Sequence, residues 1–112
     1  MRFRLLLLPL LLCPLFPIAA LADSSALIVQ GPGGSDEYEK KFTKWSTGTR
    51  DVLVEDLGFA KDHVVLLAGD NSRKANIEKA IEDFKKQIKP DDTFLLFLIG
   101  HGSFDEIGRA HV

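Results

Sequence analysis

The chain has 112 residues, with 14 lysines and arginines against 16 aspartates and glutamates, for a formal net charge of −2. This length allows one domain at most. The charge balance provides no basic face for nucleic acid, so no nucleic-acid partner is expected.

The first 22 residues have the pattern of a secretory signal peptide. Arg2 and Arg4 precede a leucine-rich apolar run, and small residues lead up to Ala22. We therefore predict cleavage after Ala22, a secreted or periplasmic location, and a mature domain of residues 23–112 that is free of the membrane. Three prolines in the apolar run argue against the alternative, an uncleaved membrane anchor. The one cysteine, Cys13, leaves with this leader, so no thiol, disulfide or cysteine metal ligand is expected in the mature chain.

Three apolar runs alternate with two helical patterns in the mature chain. The alternation predicts parallel strands joined by helical, right-handed crossovers. Capping residues and glycines suggest where each helix begins, ends or bends. The predicted elements are a strand at Ala26–Val29, a helix capped by Ser35 and weakened at Gly48, a strand at Val64–Ala68, a helix capped by Ser72 and closed by Pro90, and a strand at Phe94–Ile99.

The third apolar run leads directly to the main candidate site. Six consecutive apolar residues, Phe94–Ile99, predict a strand buried on both faces. Gly100, His101 and Gly102 follow at its carboxyl end, which is where open α/β sheets bind ligands. A histidine held there by a rigid strand is well placed to act on a substrate. The alternative is a turn whose histidine is simply solvated.

Other motifs favour structural interpretations. The glycine-rich segment 31–34 lacks the lysine of a phosphate loop, so a structural turn is expected. His101 and Asp105 alone make a poor metal site, so neither a metal nor a cofactor is expected. The Asp91–Asp92 pair is interpreted as a solvated turn, and the aromatic stripe around Trp45 as core. After His101 the sequence shows no further strand or helix signal, and His111 falls in an unstructured end.

Taken together, residues 57–104 resemble the first half of caspase-like (clan CD) cysteine peptidases, including legumain-type members and bacterial caspase-domain proteins. The resemblance is carried by the strand Val64–Leu67, the helix start Ser72–Ile77, the strand entry Pro90–Thr93 and the strand end Gly100–Ser103.

The resemblance implies a three-layer α/β sandwich with a mostly parallel sheet, of which this chain holds the first three strands and two helices. It implies that His101 is the histidine of a Cys/His dyad and that the Gly102 N–H helps to hold the oxyanion. The substrates would be peptides or proteins, and no cofactor would be needed. The nucleophilic cysteine would follow the next strand and is missing here. Ser103 lies too close to His101 along the backbone to be a natural replacement.

Two helices cannot cover both faces of so apolar a third strand. We therefore expect residues 23–112 to be the N-terminal part of a domain, or to need a partner at the sheet edge. Two other functions stay open: a non-catalytic caspase-like module that binds through its sheet edge, and the front end of an α/β-hydrolase, in which a His-Gly loop supplies the oxyanion hole.

Overall fold

The computed structural model describes residues 23–104 and 110–111. Residues 1–22, on which the signal-peptide prediction rests, and Asp105 lie outside this part. The described chain is an α/β fold, and the predicted alternation of strands and helices is confirmed. Its elements are β1 (Ser24–Gln30), α1 (Asp36–Asp51), β2 (Val64–Leu67), α2 (Lys74–Gln87), β3 (Thr93–Ile99), β4 (Ser103–Phe104) and β5 (Ala110–His111).

The main sheet has three parallel strands in the order β2-β1-β3. The central strand is β1, in which Leu27 lies opposite Val65 on one side and Leu96 on the other. Leu27 and Ile28 are fully buried. The most deeply buried strand is therefore β1, the first strand in the sequence.

The prediction that β3 is buried on both faces is wrong for the described chain. Among the described residues β3 pairs only with β1 and so forms an edge of the sheet. Leu96 is 48% exposed and Leu98 is 60% exposed. An apolar run indicates a strand with partners on both faces, but it does not indicate which strand takes the centre of the sheet.

A hydrophobic layer lies on each face of the sheet. On one face, Ala26 and Ile28 pack against Leu53, which follows α1. On the other face, Leu27 and Val29 pack against Phe84 of α2. The two helices therefore cover opposite faces of β1, as expected for helical crossovers between parallel strands.

The ends of α1 follow the sequence, but its middle does not. The Ser35 hydroxyl caps the helix by accepting a hydrogen bond from the Tyr38 amide at 3.4 Å, as predicted. Gly48, expected to weaken the helix, does not break it, because the helix continues to Asp51 and then through one π-helical turn. Gly58, at φ 74°, lets the chain leave this turn. Helical packing on both sides of Gly48 outweighs its weak propensity.

The prediction for the start of α2 is also wrong. Ser72 does not cap α2; its hydroxyl donates to the Gly69 carbonyl at 2.8 Å and closes the preceding 3₁₀ turn. The Asp91–Asp92 turn is solvated, as predicted. In addition, the Asp92 carboxylate accepts hydrogen bonds from the amides of Lys89 (2.8 Å) and Asp23 (2.9 Å). This carboxylate ties the start of β1 to the turn before β3.

The segment after His101 is not free of strands, contrary to expectation. Ser103 and Phe104 form β4, which pairs antiparallel with β5, and His111 lies opposite Ser103. Two residues per strand are too few to give a periodic sequence signal. Among the helices of the described part, none combines the length and the apolar character that a membrane crossing requires.

Candidate functional site

His101 lies at the carboxyl edge of the parallel sheet, two residues beyond the end of β3. The neighbouring strand β1 ends at Gln30 and leads into the glycine-rich loop 31–34 at the same edge. The Gly31 amide donates to the Ile99 carbonyl at 2.8 Å, which fastens this loop to the last residue of β3. The sheet thus brings two chain segments, far apart in sequence, beside the imidazole.

The His101 ring is held by the backbone of this loop. Its Nε2 atom lies 2.7 Å from the carbonyl oxygen of Gly33. A carbonyl oxygen can only accept a hydrogen bond, so Nε2 must carry the proton. In a neutral ring the lone pair is then on Nδ1, and Nδ1 is the atom available to take a proton from another group.

Two aromatic side chains of α1 contact the same ring. Tyr38 meets His101 edge-on, with ring centroids 4.7 Å apart and planes at 73°. Phe42 lies 5.0 Å away by the same measure. Contacts of this kind between aromatic rings help to fix ring orientation and are favourable by about 0.5–1.5 kcal/mol each. The carbonyl and the two rings together define where the imidazole lies.

The interpretation of the aromatic stripe as core is therefore correct only in part. Phe42 is 2% exposed and belongs to the core, whereas Tyr38 is 42% and Trp45 is 52% exposed. One end of the stripe packs against the His101 ring. Helical spacing shows that these residues share a face of α1, but it does not show what stands opposite that face.

Gly33 is a site residue that the sequence reasoning missed. It is buried against the first turn of α1, where an added Cβ would overlap the backbone nitrogen of Glu39. Its amide donates to the Glu39 carboxylate at 2.5 Å, while its carbonyl faces His101. The signal that could have found it is a cluster of three glycines directly before a helix cap, a pattern typical of close backbone approach.

A buried polar network fixes α1 to the sheet beneath the site. The Gln30 side chain, at the end of β1, donates to the Thr43 hydroxyl at 3.0 Å and accepts from the Ser46 hydroxyl at 2.5 Å. Gln30 is 4% exposed and Ser46 is fully buried. Among the described residues no buried side-chain nitrogen or oxygen lacks a partner. This network sets the position of the helix that carries Tyr38 and Phe42.

A cleft of about 540 Å³ opens beside the imidazole. Apart from the imidazole, its walls are aliphatic side chains and glycine backbone, and they carry no charged group. It is lined by Val29, Gly31, Pro32, Leu98, Ile99, Gly100, His101 and Gly102. Such a cleft can hold an extended backbone close to His101, and the ring can move a proton there.

The other residues that the sequence offered as candidates do not join this site. His63 precedes β2 and therefore lies at the amino edge of the sheet, opposite His101. Ser103 begins β4, pairing with His111. Within residues 23–104 and 110–111, no group of three or more potential metal ligands comes together. Of the predicted site residues, His101 and Gly102 share the cleft.

Comparisons with protein-family models, with curated proteins and with solved structures give no match to this chain.

Proposed function

We propose that this chain supplies the histidine half of a cysteine-type endopeptidase site of the caspase-like kind. The observation that carries the proposal is the Nε2–Gly33 carbonyl contact of 2.7 Å at the carboxyl edge of the sheet. This contact keeps the proton on Nε2 and leaves Nδ1 as the base. In a thiol peptidase, one nitrogen of the imidazole can make a structural hydrogen bond, but the other must be free to take the proton of the thiol.

In the proposed reaction, Nδ1 of His101 takes the proton from a cysteine thiol, and the sulfur bonds to the carbonyl carbon of a peptide substrate. The carbonyl oxygen, on which negative charge develops, accepts a hydrogen bond from the Gly102 N–H. When the C–N bond breaks, the imidazolium returns its proton to the leaving amine. Water then hydrolyses the thioester, with His101 again serving as base. No cofactor takes part.

The thiol of the proposed site is not among residues 23–112, because the only cysteine of the sequence is Cys13 in the leader. We propose that it belongs to a strand that pairs with the open edge of β3. A parallel strand in that position would end beside Gly100–Gly102, since parallel strands place their carboxyl ends at one edge. The signal-peptide pattern of residues 1–22 adds a secreted or periplasmic location to the proposal.

A second candidate function is binding without catalysis, and the exposed edge of β3 favours it. Leu96 and Leu98 are about half exposed beside strand backbone that no other described segment pairs with, and such backbone is a template for adding a strand from a partner. The α/β-hydrolase alternative has less support. There the first strands usually form a hairpin, whereas β1 and β2 are parallel and joined by α1.

The test replaces His101 by alanine in the intact protein and measures hydrolysis of fluorogenic peptides. We expect turnover to fall by at least about 100-fold, the usual contribution of a positioned general base, with an unchanged far-UV circular dichroism spectrum. His63→Ala is the matched control, because His63 lies at the opposite edge of the sheet. Near-normal turnover in His101→Ala would remove this histidine from the mechanism. Specific strand binding without hydrolysis in the wild-type protein would favour the second candidate.

A further inference from the structure

Glu39 is joined to the candidate histidine through a single residue. Its carboxylate accepts the hydrogen bond of the Gly33 amide, and the carbonyl of that same Gly33 lies 2.7 Å from His101 Nε2. One residue thus carries both contacts. Any shift of Gly33 away from the first turn of α1 also moves the oxygen that holds the imidazole.

The carboxylate of Glu39 has no competing cation in the described part of the chain. The neighbouring Glu37 pairs with Lys41 at 2.7 Å, but none of the ion pairs within residues 23–104 includes Glu39. A hydrogen bond from a backbone amide to an ionised carboxylate is stronger than one between neutral groups. The Glu39 carboxylate is therefore available to accept the hydrogen bond of the Gly33 amide, whereas the Glu37 carboxylate forms an ion pair on the surface of α1.

The packing of Gly33 makes this link specific. The position of a Cβ on Gly33 is already filled by the backbone of Tyr38 and Glu39. The loop therefore touches the helix through backbone on one side and through the Glu39 carboxylate on the other. Without the carboxylate the buried amide would lose its acceptor, which is costly, and the loop would move to find another.

We propose that Glu39 is a positioning residue, which holds the Gly33 carbonyl in place and thereby fixes the His101 imidazole with its proton on Nε2. That the fixed ring serves in peptide hydrolysis rests on the proposed function; the link from Glu39 to the ring does not. Glu39 itself touches no reacting atom in this scheme.

The experiment compares the wild-type intact protein with three variants by ¹⁵N-resolved NMR of the histidine side chains at about pH 8, where ordinary imidazole is neutral. Glu39→Ala removes the acceptor, Glu39→Gln retains an amide oxygen in its place, and Glu37→Ala is the control for loss of a negative charge from the same helical turn. We expect a protected Nε2–H signal of His101 in the wild type, in Glu39→Gln and in Glu37→Ala. In Glu39→Ala the protection of this hydrogen from solvent exchange should fall at least about tenfold, as for loss of a charge-assisted hydrogen bond.

Peptide hydrolysis by the same four proteins separates the two proposals. If Glu39→Ala alone loses both the Nε2–H signal and turnover, the positioning role and the proposed function are both supported. If it alone loses the signal while none of the four proteins hydrolyses peptides, the positioning role stands and the proposed function fails. An unchanged Nε2–H signal in Glu39→Ala overturns the positioning role whatever the activity. Equal loss in Glu37→Ala also overturns it, because the effect would then be a general loosening of the start of α1.

Discussion

Replacement of one leucine in β1 and one in β3 by alanine tests which strand forms the core. Leu27 is fully buried between its two neighbouring strands, and truncation of such a leucine costs about 2–5 kcal/mol. Leu96, its partner in β3, is 48% exposed. Because complete burial of a leucine contributes about 1.5–3 kcal/mol, half burial predicts a loss of only about 1 kcal/mol for Leu96→Ala.

The assay is urea denaturation of the 112-residue chain, followed by far-UV circular dichroism. With a slope of about 1–2 kcal/mol per molar urea for a small domain, the Leu27→Ala midpoint should lie at least about 0.5 M below that of Leu96→Ala. For the same reason Leu96→Asp should leave the chain folded, whereas a strand buried on both faces would not tolerate the charge. Equal losses for Leu27→Ala and Leu96→Ala, or unfolding of Leu96→Asp, would refute the assignment of β3 as a half-exposed edge.

Two further changes probe the surroundings of the site, and a third probes the opposite edge of the sheet. Ser46→Ala leaves the buried Gln30 amide oxygen without its hydroxyl donor and should lower the free energy of unfolding by about 1–3 kcal/mol; no loss in urea denaturation would show that the network does not fix α1. Phe42→Ala should cost about 3–5 kcal/mol, because the side chain is 2% exposed, and chemical-shift changes at His101 should accompany it; unchanged shifts would contradict the ring contact. Hydrogen bonds from the Lys89 and Asp23 amides lower the pKa of Asp92 below its ordinary value, so the stability they contribute is present at neutral pH and is lost as the pH falls through this lowered pKa. The melting temperature of Asp92→Asn should therefore fall less than that of the wild type as the pH is lowered. An equal fall in both proteins would contradict this role of Asp92.

Local sequence signals predicted the order and type of the main elements. The hydroxyl of Ser35 before three acidic residues, and the apolar periodicity of α2, are short-range features that the tertiary structure leaves in place. Gly48 and Ser72 show where such signals fail. The propensity cost of one glycine is small compared with helix packing, and a serine hydroxyl can serve the preceding turn instead of the following helix.

The position of each strand in the sheet could not be predicted in the same way. The sequence of β3 is the most continuously apolar of the chain, yet the middle of the sheet is β1, whose apolar core is shorter. Strand order depends on pairing between distant segments, and hydrophobicity alone does not encode it.

Only part of the candidate site could be predicted from the sequence. His101 could be found because it follows an apolar run that clearly predicts a strand. Its partners Gly33 and Tyr38 come from a turn and a helix more than sixty residues earlier, and only the parallel pairing of β1 with β3 brings them to the ring. A backbone carbonyl as partner leaves no residue-type signature in a sequence.

We propose that His101 works with a thiol, and the intact mass of the native mature protein before and after alkylation tests this claim most directly. We expect one adduct, mapped to a cysteine other than Cys13, with complete loss of peptide cleavage on alkylation. A mass equal to that of residues 23–112 with no adduct, or peptide cleavage that survives alkylation, would contradict the claim.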